Sequence, residues 1–434
     1  MSRSFLWFRN DLRLADHPAA VDALADSDEV LPVHIIDPRQ IAPSPFGFSR
    51  MGPYRAQFLL ESLADLDAQL HLRGSALRVY IGEPATVLSR IAAEWKVEAV
   101  YTKRQFAWEE QRHLRTVSEV LPVRAAGPPT LLHPEDLPLP IEKLPKVFTA
   151  FRHKVETHWQ VRDALPEPSQ LPTPTEWASQ LPSLADLGCE APTSDPRAVM
   201  HFTGGRAAAL ERLKHYFWDN RSLSSYKETR NGMIGADYSS KFSPWLALGC
   251  ISAREVYHQV KRYERLHGAN ESTYWLVFEL LWRDFFQFTA AKHGADLFKR
   301  SGIAHKPAQG NHDPRRFAAW CEGRTGQPFI DAHMRELAAT GWMSNRGRQN
   351  TASYLVHDLG LDWRMGAWWF ECMLIDYDPC SNWGNWQYIA GVGNDPRPLR
   401  KFLPDRQAAQ YDPQGDHQRL WASSIKENRG EVGP

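Results

Sequence analysis

Short apolar runs alternate with amphipathic stretches throughout the first 125 residues of the chain. The five runs are rich in β-branched and aromatic residues and occupy positions 5–8, 30–37, 76–82, 99–101 and 123–125. Strands and helices that alternate in this way form βαβ units, so we predict a doubly wound parallel sheet. Proline favours the first turn of a helix. We predict helices from Pro18 and at 54–72, 84–95 and 109–120.

Two changes in composition follow this segment. Positions 126–198 contain 13 of the 31 prolines, which predicts a long surface connector, interrupted by a helix at 146–162. From Thr203 onward the strand signals disappear, and apolar residues recur at helical spacing. We therefore predict an α/β domain at 1–126, a proline-rich connector at 127–198 and an all-α domain at 199–434.

The composition argues against several classes of protein. No apolar run approaches the roughly 20 residues of a membrane span. The start of the chain lacks a signal-peptide cleavage site, so we expect a cytoplasmic protein. The five cysteines include no CxxC pair, and no motif has metal-ligand spacing, so we predict neither a disulfide framework nor a metal site. No GxGxxG follows the first strand, which argues against the dinucleotide fingerprint.

The charge of the chain is divided unevenly. Residues 1–200 have 21 Lys and Arg against 26 Asp and Glu, a net charge of −5. Residues 201–434 have 30 against 25, a net charge of +5. A polyanionic partner would meet the second half, although a difference of this size is also common in proteins without such a partner.

A carboxylate, an indole and a guanidinium share one face of the predicted helix at 274–288. Glu279, Trp282, Arg283 and Phe286 stand at i, i+3, i+4 and i+7. The pattern fits one wall of a pocket that stacks a flat ligand and hydrogen-bonds its edge. It also fits a surface helix that carries an ordinary Arg–Glu pair.

A second polar group is divided between two later parts of the chain. Asn345, Arg348 and Gln349 begin one helix, and Asp376 and Asp378 follow the next. Arg348 can pair with one of the aspartates. Two carboxylates this close fit acid–base chemistry or a salt-bridged turn. Hydrolysis by paired carboxylates also needs an acid that is held neutral, and the sequence identifies none.

Tryptophan alternates with Asn and Gly in the stretch NWGNWQYIAGVGNDP. Asn382 and Trp386 are one helical turn apart, and core burial is the expectation for Trp383. The segment GVGND resembles a phosphate loop only weakly, because no strand precedes it and the third glycine is missing. The glycine-rich end therefore indicates packing and not a phosphate cradle.

Four longer motifs carry a family resemblance. They are WFRNDLRLADHPA, YWLVFELLWRDFF, the segment at 323–371 and DYDPCSNWGNWQYIAGVGNDPR. The chain resembles the photolyase/cryptochrome family over almost its whole length, apart from the connector, and is most similar to the DASH cryptochromes. The resemblance implies an antenna chromophore in the α/β domain and FAD in the all-α domain.

The resemblance also assigns residues to the FAD site. It implies serine hydroxyls, a helix start and a lysine near the diphosphate, and polar and charged residues around the flavin and adenine rings. An asparagine opposite flavin N5 would favour the reduced, anionic flavin. The implied FAD-binding residues are Tyr226, Ser239, Ser240, Lys241, Phe242, Ser243, Arg283, Asn345, Arg348, Asp376, Asp378 and Asn382.

The family reaction is light-driven repair of cyclobutane pyrimidine dimers by an electron from excited FADH⁻, after the lesion has left the base stack. Glu279 matches the carboxylate that contacts the dimer, and Trp282 matches the indole that stacks beside it. Gln349 and Tyr388 stand where double-strand photolyases have Met and Trp, so weaker stacking should favour single-stranded DNA. Ser344 stands where (6-4) photolyases have a catalytic His, so we expect no (6-4) repair.

A chain of tryptophans reduces the oxidised flavin in this family. Trp386 and Trp363 match its proximal and middle members. The distal position is Gly310 here. The chain is therefore either short, or it ends at Trp320, at Trp342 or at a tyrosine, and we predict slower or altered photoreduction.

An antenna site is implied at the start of the helix after the fourth strand. DASH members often bind methenyltetrahydrofolate through a glutamate there, and Glu109 is the best match, with Glu110 as the alternative. Glu109 also fits an ordinary first-turn glutamate that the helix dipole stabilises.

Two functions remain open at this point. The first is repair of pyrimidine dimers, mainly in single-stranded DNA, by a monomeric lyase. The second is a blue-light photoreceptor that signals without efficient repair. Glu279, Trp282 and Asn382 favour repair. The short C-terminal tail also favours it, because long tails often carry the output of signalling cryptochromes.

Overall fold

Five parallel strands form a single sheet at the N-terminal end of the chain. The computed structural model describes residues 1–395 and 400–422. The strands lie in the order β3-β2-β1-β4-β5 and pair in parallel throughout. Their bounds are β1 (Arg3–Phe8), β2 (Glu29–Ile36), β3 (Arg78–Ile81), β4 (Ala99–Lys103) and β5 (Val123–Ala126). All five predicted strands are confirmed, with small shifts at their ends.

Helices cover both faces of this sheet. Leu6 and Phe8 of β1 join a core with the first two helices, whereas Phe5 and Trp7 point to the opposite core and the next two helices. Alternation of this kind is what a strand buried on both faces requires. The helices are α1 (Pro18–Asp26), α2 (Pro53–His71), α3 (Pro84–Trp95) and α4 (Trp108–Ser118). The predicted doubly wound sheet is therefore confirmed.

The connector packs back onto the sheet. Its helix, α5 (Phe148–Glu156), is shorter than predicted. Downstream of α5, the carbonyl of Pro172 accepts a hydrogen bond from the Val30 amide at 2.8 Å, and Trp177 is buried. These contacts anchor a segment whose composition suggested only a surface covering. The domain boundaries at 126 and 198 stay predictions.

The rest of the described chain is helical, and within it no strand follows β5. A second large core surrounds Trp320, Trp363, Trp383 and Trp386, which confirms the burial expected for Trp383. The helices are α6 (Arg206–Lys214), α7 (Tyr226–Thr229), α8 (Ser243–Ala247), α9 (Ala253–His267), α10 (Glu271–His293), α11 (Pro314–Cys321), α12 (Pro328–Thr340), α13 (Asn345–His357), α14 (Trp363–Met373), α15 (Pro379–Ala390), α16 (Pro404–Tyr411) and α17 (Asp416–Leu420).

Two of the sequence-based predictions, from the last family motif and from the C-terminal tail, involve residues that the structure does not describe. Pro396 and Arg397, at the end of the last family motif, and residues 423–434 of the C-terminal tail lie outside the described residues. Within residues 1–395 and 400–422, no helix combines the length and the apolar character needed to cross a bilayer.

Candidate active site

Two adjoining cavities lie in the helical half of the chain. The larger has a volume of about 460 Å³ and the smaller about 300 Å³. Glu279, Trp282, Gln349, Asn382 and Tyr388 all line the larger cavity. Every residue implied for FAD lines one or both of the cavities. The structure therefore brings the predicted lesion-contacting and FAD-binding residues together.

Helix α10 supplies the wall shared by both cavities. It begins at a capping box in which the Asn270 side chain accepts from the Thr273 amide. Two turns later, Glu279 forms an ion pair with Arg230. Burial raises the pKa of the Glu279 carboxyl, and Arg230 acts against that rise. Sequence reasoning missed Arg230; the available signal was its position one helical turn after Tyr226.

The indole of Trp282 is held between other rings. It stacks on Phe148 of the connector helix with centroids 3.7 Å apart and an interplanar angle of 10°. Tyr388 meets it edge-on at 6.2 Å. Because Phe148 covers one face of the indole and Phe286 also stacks against it at 5.7 Å, a flat ligand in the larger cavity can meet only the part of the ring that these two leave uncovered, or its edge. The connector thus fixes a residue of the site, which its composition did not indicate.

The two predicted aspartates have separate partners. Asp376 accepts from Arg348 at 2.9 Å and from the Ser243 hydroxyl at 2.6 Å, which confirms the predicted pairing with Arg348. Its second oxygen, Oδ1, is buried and has no hydrogen-bond partner among residues 1–395 and 400–422. Asp378 caps α15 and accepts from Gln287 at 2.8 Å. The two carboxylates therefore do not form a paired acid–base unit.

The amide of Asn382 has a fixed orientation. Its Nδ2 donates to the Ala367 carbonyl on the neighbouring helix α14 at 3.0 Å. The amide oxygen is then the atom left to accept a hydrogen bond from a ligand in the larger cavity. Side-chain rotation alone would not reverse this arrangement without losing the bond to Ala367.

The segment before α8 lines the smaller cavity, but its lysine is already engaged. The ammonium group of Lys241 donates to the carbonyls of Gly235 and Ala236 at 3.2 and 2.7 Å. Burial lowers the pKa of Lys241 to about 6. The ammonium group therefore holds the loop at 235–241 together. It could contact a diphosphate, as predicted, only if it gave up these two hydrogen bonds.

Two further arginines hold residues that are predicted to contact the lesion. Arg346 donates to Oε1 of Gln349 at 2.9 Å. Arg400 donates to the hydroxyl of Tyr388 at 2.9 Å and lies over its ring. Neither arginine was singled out from the sequence, although Arg346 stands three residues before Gln349 on α13. Arg400 comes from a separate part of the chain that the fold brings to Tyr388. The net charge of +5 in residues 201–434 was the sequence feature that indicated basic residues near a site in this half.

The tryptophans predicted for the electron-transfer chain fall into two separate ring contacts. Trp320 meets Trp386 at a centroid distance of 6.3 Å, whereas Trp363 meets Trp383 at 5.6 Å. At Gly310 the backbone has φ +116°, and an added Cβ would lie 2.5 Å from the Leu361 carbonyl oxygen. A tryptophan cannot occupy position 310 without a backbone shift. Trp342, the other candidate, stacks on Phe202 and lines the smaller cavity.

A third cavity, of about 110 Å³, lies between the sheet and the helical half. Both Glu109 and Glu110 line it. Glu109 forms an ion pair with Arg50 at 2.8 Å, and Arg50 also pairs with Glu371 across the cleft. Burial raises the pKa of Glu110 to about 7. Glu109 is the more accessible of the two, so the structure keeps both assignments open.

A doubly wound sheet joined to a helical domain with these cavities defines a class of two-domain flavoproteins. The family models described as FAD binding domain of DNA photolyase and DNA photolyase match residues 275–432 and 4–172. Cryptochrome DASH of Gloeobacter violaceus is 50% identical over 97% of this chain and 85% of its own. The chain therefore belongs to the photolyase/cryptochrome family, and it is similar throughout to relatives named cryptochrome DASH.

Solved structures agree with this placement. The Synechocystis cryptochrome superimposes with a TM-score of 0.93 at 47% identity, over 97% of this chain and 88% of that one. A class III photolyase from Agrobacterium tumefaciens gives 0.82 at 28% identity, over 97% and 86%. An archaeal photolyase from Sulfolobus tokodaii, solved with two FAD molecules, gives 0.79 at 30% identity, over 98% and 91%.

Proposed function

We propose that this protein repairs cyclobutane pyrimidine dimers under blue light, preferentially in single-stranded DNA. The observation that carries the proposal is the larger cavity, in which the four residues matched to the lesion pocket adjoin the residues assigned to FAD. When bound, reduced FAD would supply the excited electron that splits the dimer. The chain itself binds and orients the cofactor and the lesion.

The lining of the two cavities fits FAD. The buried, unpartnered Oδ1 of Asp376 is an acceptor in need of a donor. Arg348 is fixed beside it and offers further donors. The amide oxygen of Asn382 would accept a hydrogen bond from the N–H group at flavin N5, which favours the reduced flavin. Tyr226, Ser239 and the start of α8 would surround the phosphates and ribityl chain.

The opposite part of the larger cavity fits a flipped pyrimidine dimer. Glu279 offers carboxylate acceptors to the imide edges of the bases, and Trp282 offers the part of its ring that Phe148 and Phe286 leave uncovered. Gln349 and Tyr388 are held by arginines and provide polar contacts with little stacking. Extraction of a lesion from a duplex costs a few kcal/mol that a single strand does not require. A cavity with weak stacking should therefore favour single-stranded DNA.

Reduction of the flavin would begin at Trp386, which lines the larger cavity. From Trp386 we propose two onward routes, one through Trp320 and one through Trp363. The contact between Trp320 and Trp386 supports the first route. Trp363 is included in the second route because it matches the middle member of the tryptophan chain in the family.

We also propose that the third cavity binds methenyltetrahydrofolate as an antenna, with Glu109 as its principal contact. The exposed part of the Glu109 carboxylate and the cleft between the two halves of the chain support this assignment. An absorption spectrum of the purified protein, with separate quantification of flavin and folate after extraction, would test it.

The alternative function is a photoreceptor that signals without repair. The relatives named cryptochrome DASH support this alternative. The reduced holoprotein should be illuminated with an oligonucleotide that contains one thymine dimer, first single-stranded and then in a duplex. We expect dimer loss only in the light, and faster loss in the single strand. Photoreduction without any dimer loss would instead establish the photoreceptor.

A further inference from the structure

A second group of metal-ligating side chains lies apart from the cavities described above. His333 and Glu336 share one face of α12, and His417 from α17 lies against them. All three residues are completely buried, at 0% exposure. The Nε2 atom of His417 is 3.1 Å from Oε2 of Glu336, and Nδ1 of His333 is 3.7 Å from the same oxygen.

Hydrogen bonding within the protein does not account for this group. Both ring nitrogens of His333, Nδ1 of His417 and Oε1 of Glu336 are buried without a hydrogen-bond partner. An unsatisfied buried polar group costs about 1–3 kcal/mol. Among the described residues, one hydrogen bond between His417 and Glu336 leaves the imidazole of His333 without any hydrogen bond, although its ring lies 4.3 Å from that of His417.

We propose that His333, Glu336 and His417 bind one divalent transition-metal ion of the zinc type. Two ligand atoms at about 2.1 Å from a tetrahedral zinc ion lie about 3.4 Å apart. The observed separations of 3.1 and 3.7 Å lie on either side of that value, and the three ligand atoms are all within 4.8 Å of one another. Two imidazoles and one carboxylate suit zinc or cobalt, whereas magnesium and calcium prefer oxygen ligands alone.

The backbone beside the cluster leaves room for the ligating ring. A Cβ at Gly347 would lie only 2.7 Å from Nδ1 of His333. A side chain at this position in the first turn of α13 would therefore displace the imidazole. Arg348, the next residue, lines the FAD cavities. Metal binding would thus tie α17 to α12 beneath the helix that carries part of the FAD site.

The sequence offered no motif for such a site. His333 and Glu336 stand at i and i+3 on one helix, which is a common spacing, and the third ligand is 81 residues further along the chain. Only the docking of α17 brings it to the other two residues.

The test uses the full-length protein, purified without a metal-chelating resin and then stripped with a chelator. Titration with Co²⁺ should give one equivalent of binding with the intense visible bands of tetrahedral cobalt, and Zn²⁺ should abolish those bands. Zn²⁺ should also raise the midpoint of thermal unfolding. Absence of both the bands and the thermal shift in the wild-type protein would overturn the proposal, whatever the variants do.

Variants locate the ion. His333→Asn and His417→Asn should each lose the cobalt bands, while His201→Asn, which changes an exposed histidine, should retain them. Bands that persist in both cluster variants would also overturn the proposal. None of these measurements depends on light, FAD turnover or DNA, so their outcome is separate from that of the repair assay.

Discussion

Glu279 of α10 and Arg230, the residue directly after α7, form an ion pair in the lining of the larger cavity. The pair is partly buried, with side-chain exposures of 29% for Glu279 and 20% for Arg230. A carboxylate kept ionised by one arginine can accept hydrogen bonds from a base edge. Removal of the arginine should therefore alter how the site depends on pH.

Arg230→Gln should move the pH dependence of dimer binding. Burial raises the pKa of Glu279 and Arg230 opposes that rise, so the variant carboxyl should protonate at a higher pH than in the wild type. If binding needs the ionised carboxylate, the affinity of the variant should begin to fall at a higher pH than that of the wild type as the solution is acidified. The measurement is the affinity for a dimer-containing oligonucleotide across a pH series in the dark.

The matched control for this experiment is Lys227→Gln. Lys227 lies on the same helix and pairs with Glu271 at the surface. Its profile should keep the wild-type midpoint. A uniform loss of affinity at every pH in Arg230→Gln would mean that Arg230 only attracts phosphate groups, and the proposed coupling to Glu279 would be wrong.

Asn382→Asp should lower the midpoint potential of the bound flavin, because a carboxylate beside the flavin repels its anionic reduced form. Asn311→Asp is the comparison, since Asn311 is exposed, lines neither cavity, and solvent would screen its charge. Spectroelectrochemical titration of both variants would measure the shifts. Equal shifts would show that Asn382 has no special position relative to the flavin.

Trp386→Phe should abolish photoreduction of oxidised flavin, because phenylalanine is much harder to oxidise than tryptophan. Trp320→Phe and Trp363→Phe should each slow the reaction, and the double variant should be as inactive as Trp386→Phe. Flavin absorbance under blue light with an external reductant gives the rates. Trp218→Phe is the control, and wild-type rates in both single variants would refute the branched route.

Gly310→Ala should destabilise the protein more than Gly326→Ala does. Both glycines have a positive φ, for which an L-residue pays about 1–2 kcal/mol. At Gly326 no atom lies within 4 Å of the added Cβ, whereas at Gly310 the Leu361 carbonyl oxygen is 2.5 Å away. We expect at least about 1 kcal/mol more loss in the free energy of unfolding at 310. Equal losses would show that this backbone can accept a side chain.

Local patterns in the sequence predicted the elements but not all of their contacts. Proline at the first helical position marked the starts of α1 and α3, and the predicted strands agree closely with the observed ones. The helix of the connector ends early, at Glu156. Nothing in its proline-rich composition indicated that Phe148 would stack on Trp282, since that contact depends on how the connector returns to the helical half.

The same limit applies to the candidate site. Glu279 and Trp282 could be placed on one face because they belong to one helix. Arg230 and Arg400 could not, since separate segments bring them to the cavity. The family resemblance supplied the FAD-binding positions, and the structure groups them around two cavities. The hydrogen bond from Lys241 to the Ala236 carbonyl depends on the conformation of its loop, which no sequence pattern predicted.

The most direct test of the central claim compares dimer repair by the wild type and by Glu279→Gln, both reduced and loaded with FAD, on a single-stranded oligonucleotide at limiting substrate. Blue light should remove dimers with the wild type, and the variant should be slower by about ten- to hundredfold, the value of a hydrogen bond to a charged group. Glu271→Gln, at the exposed start of the same helix, should match the wild type. Equal repair by wild type and Glu279→Gln, or no repair by the wild type, would contradict the account.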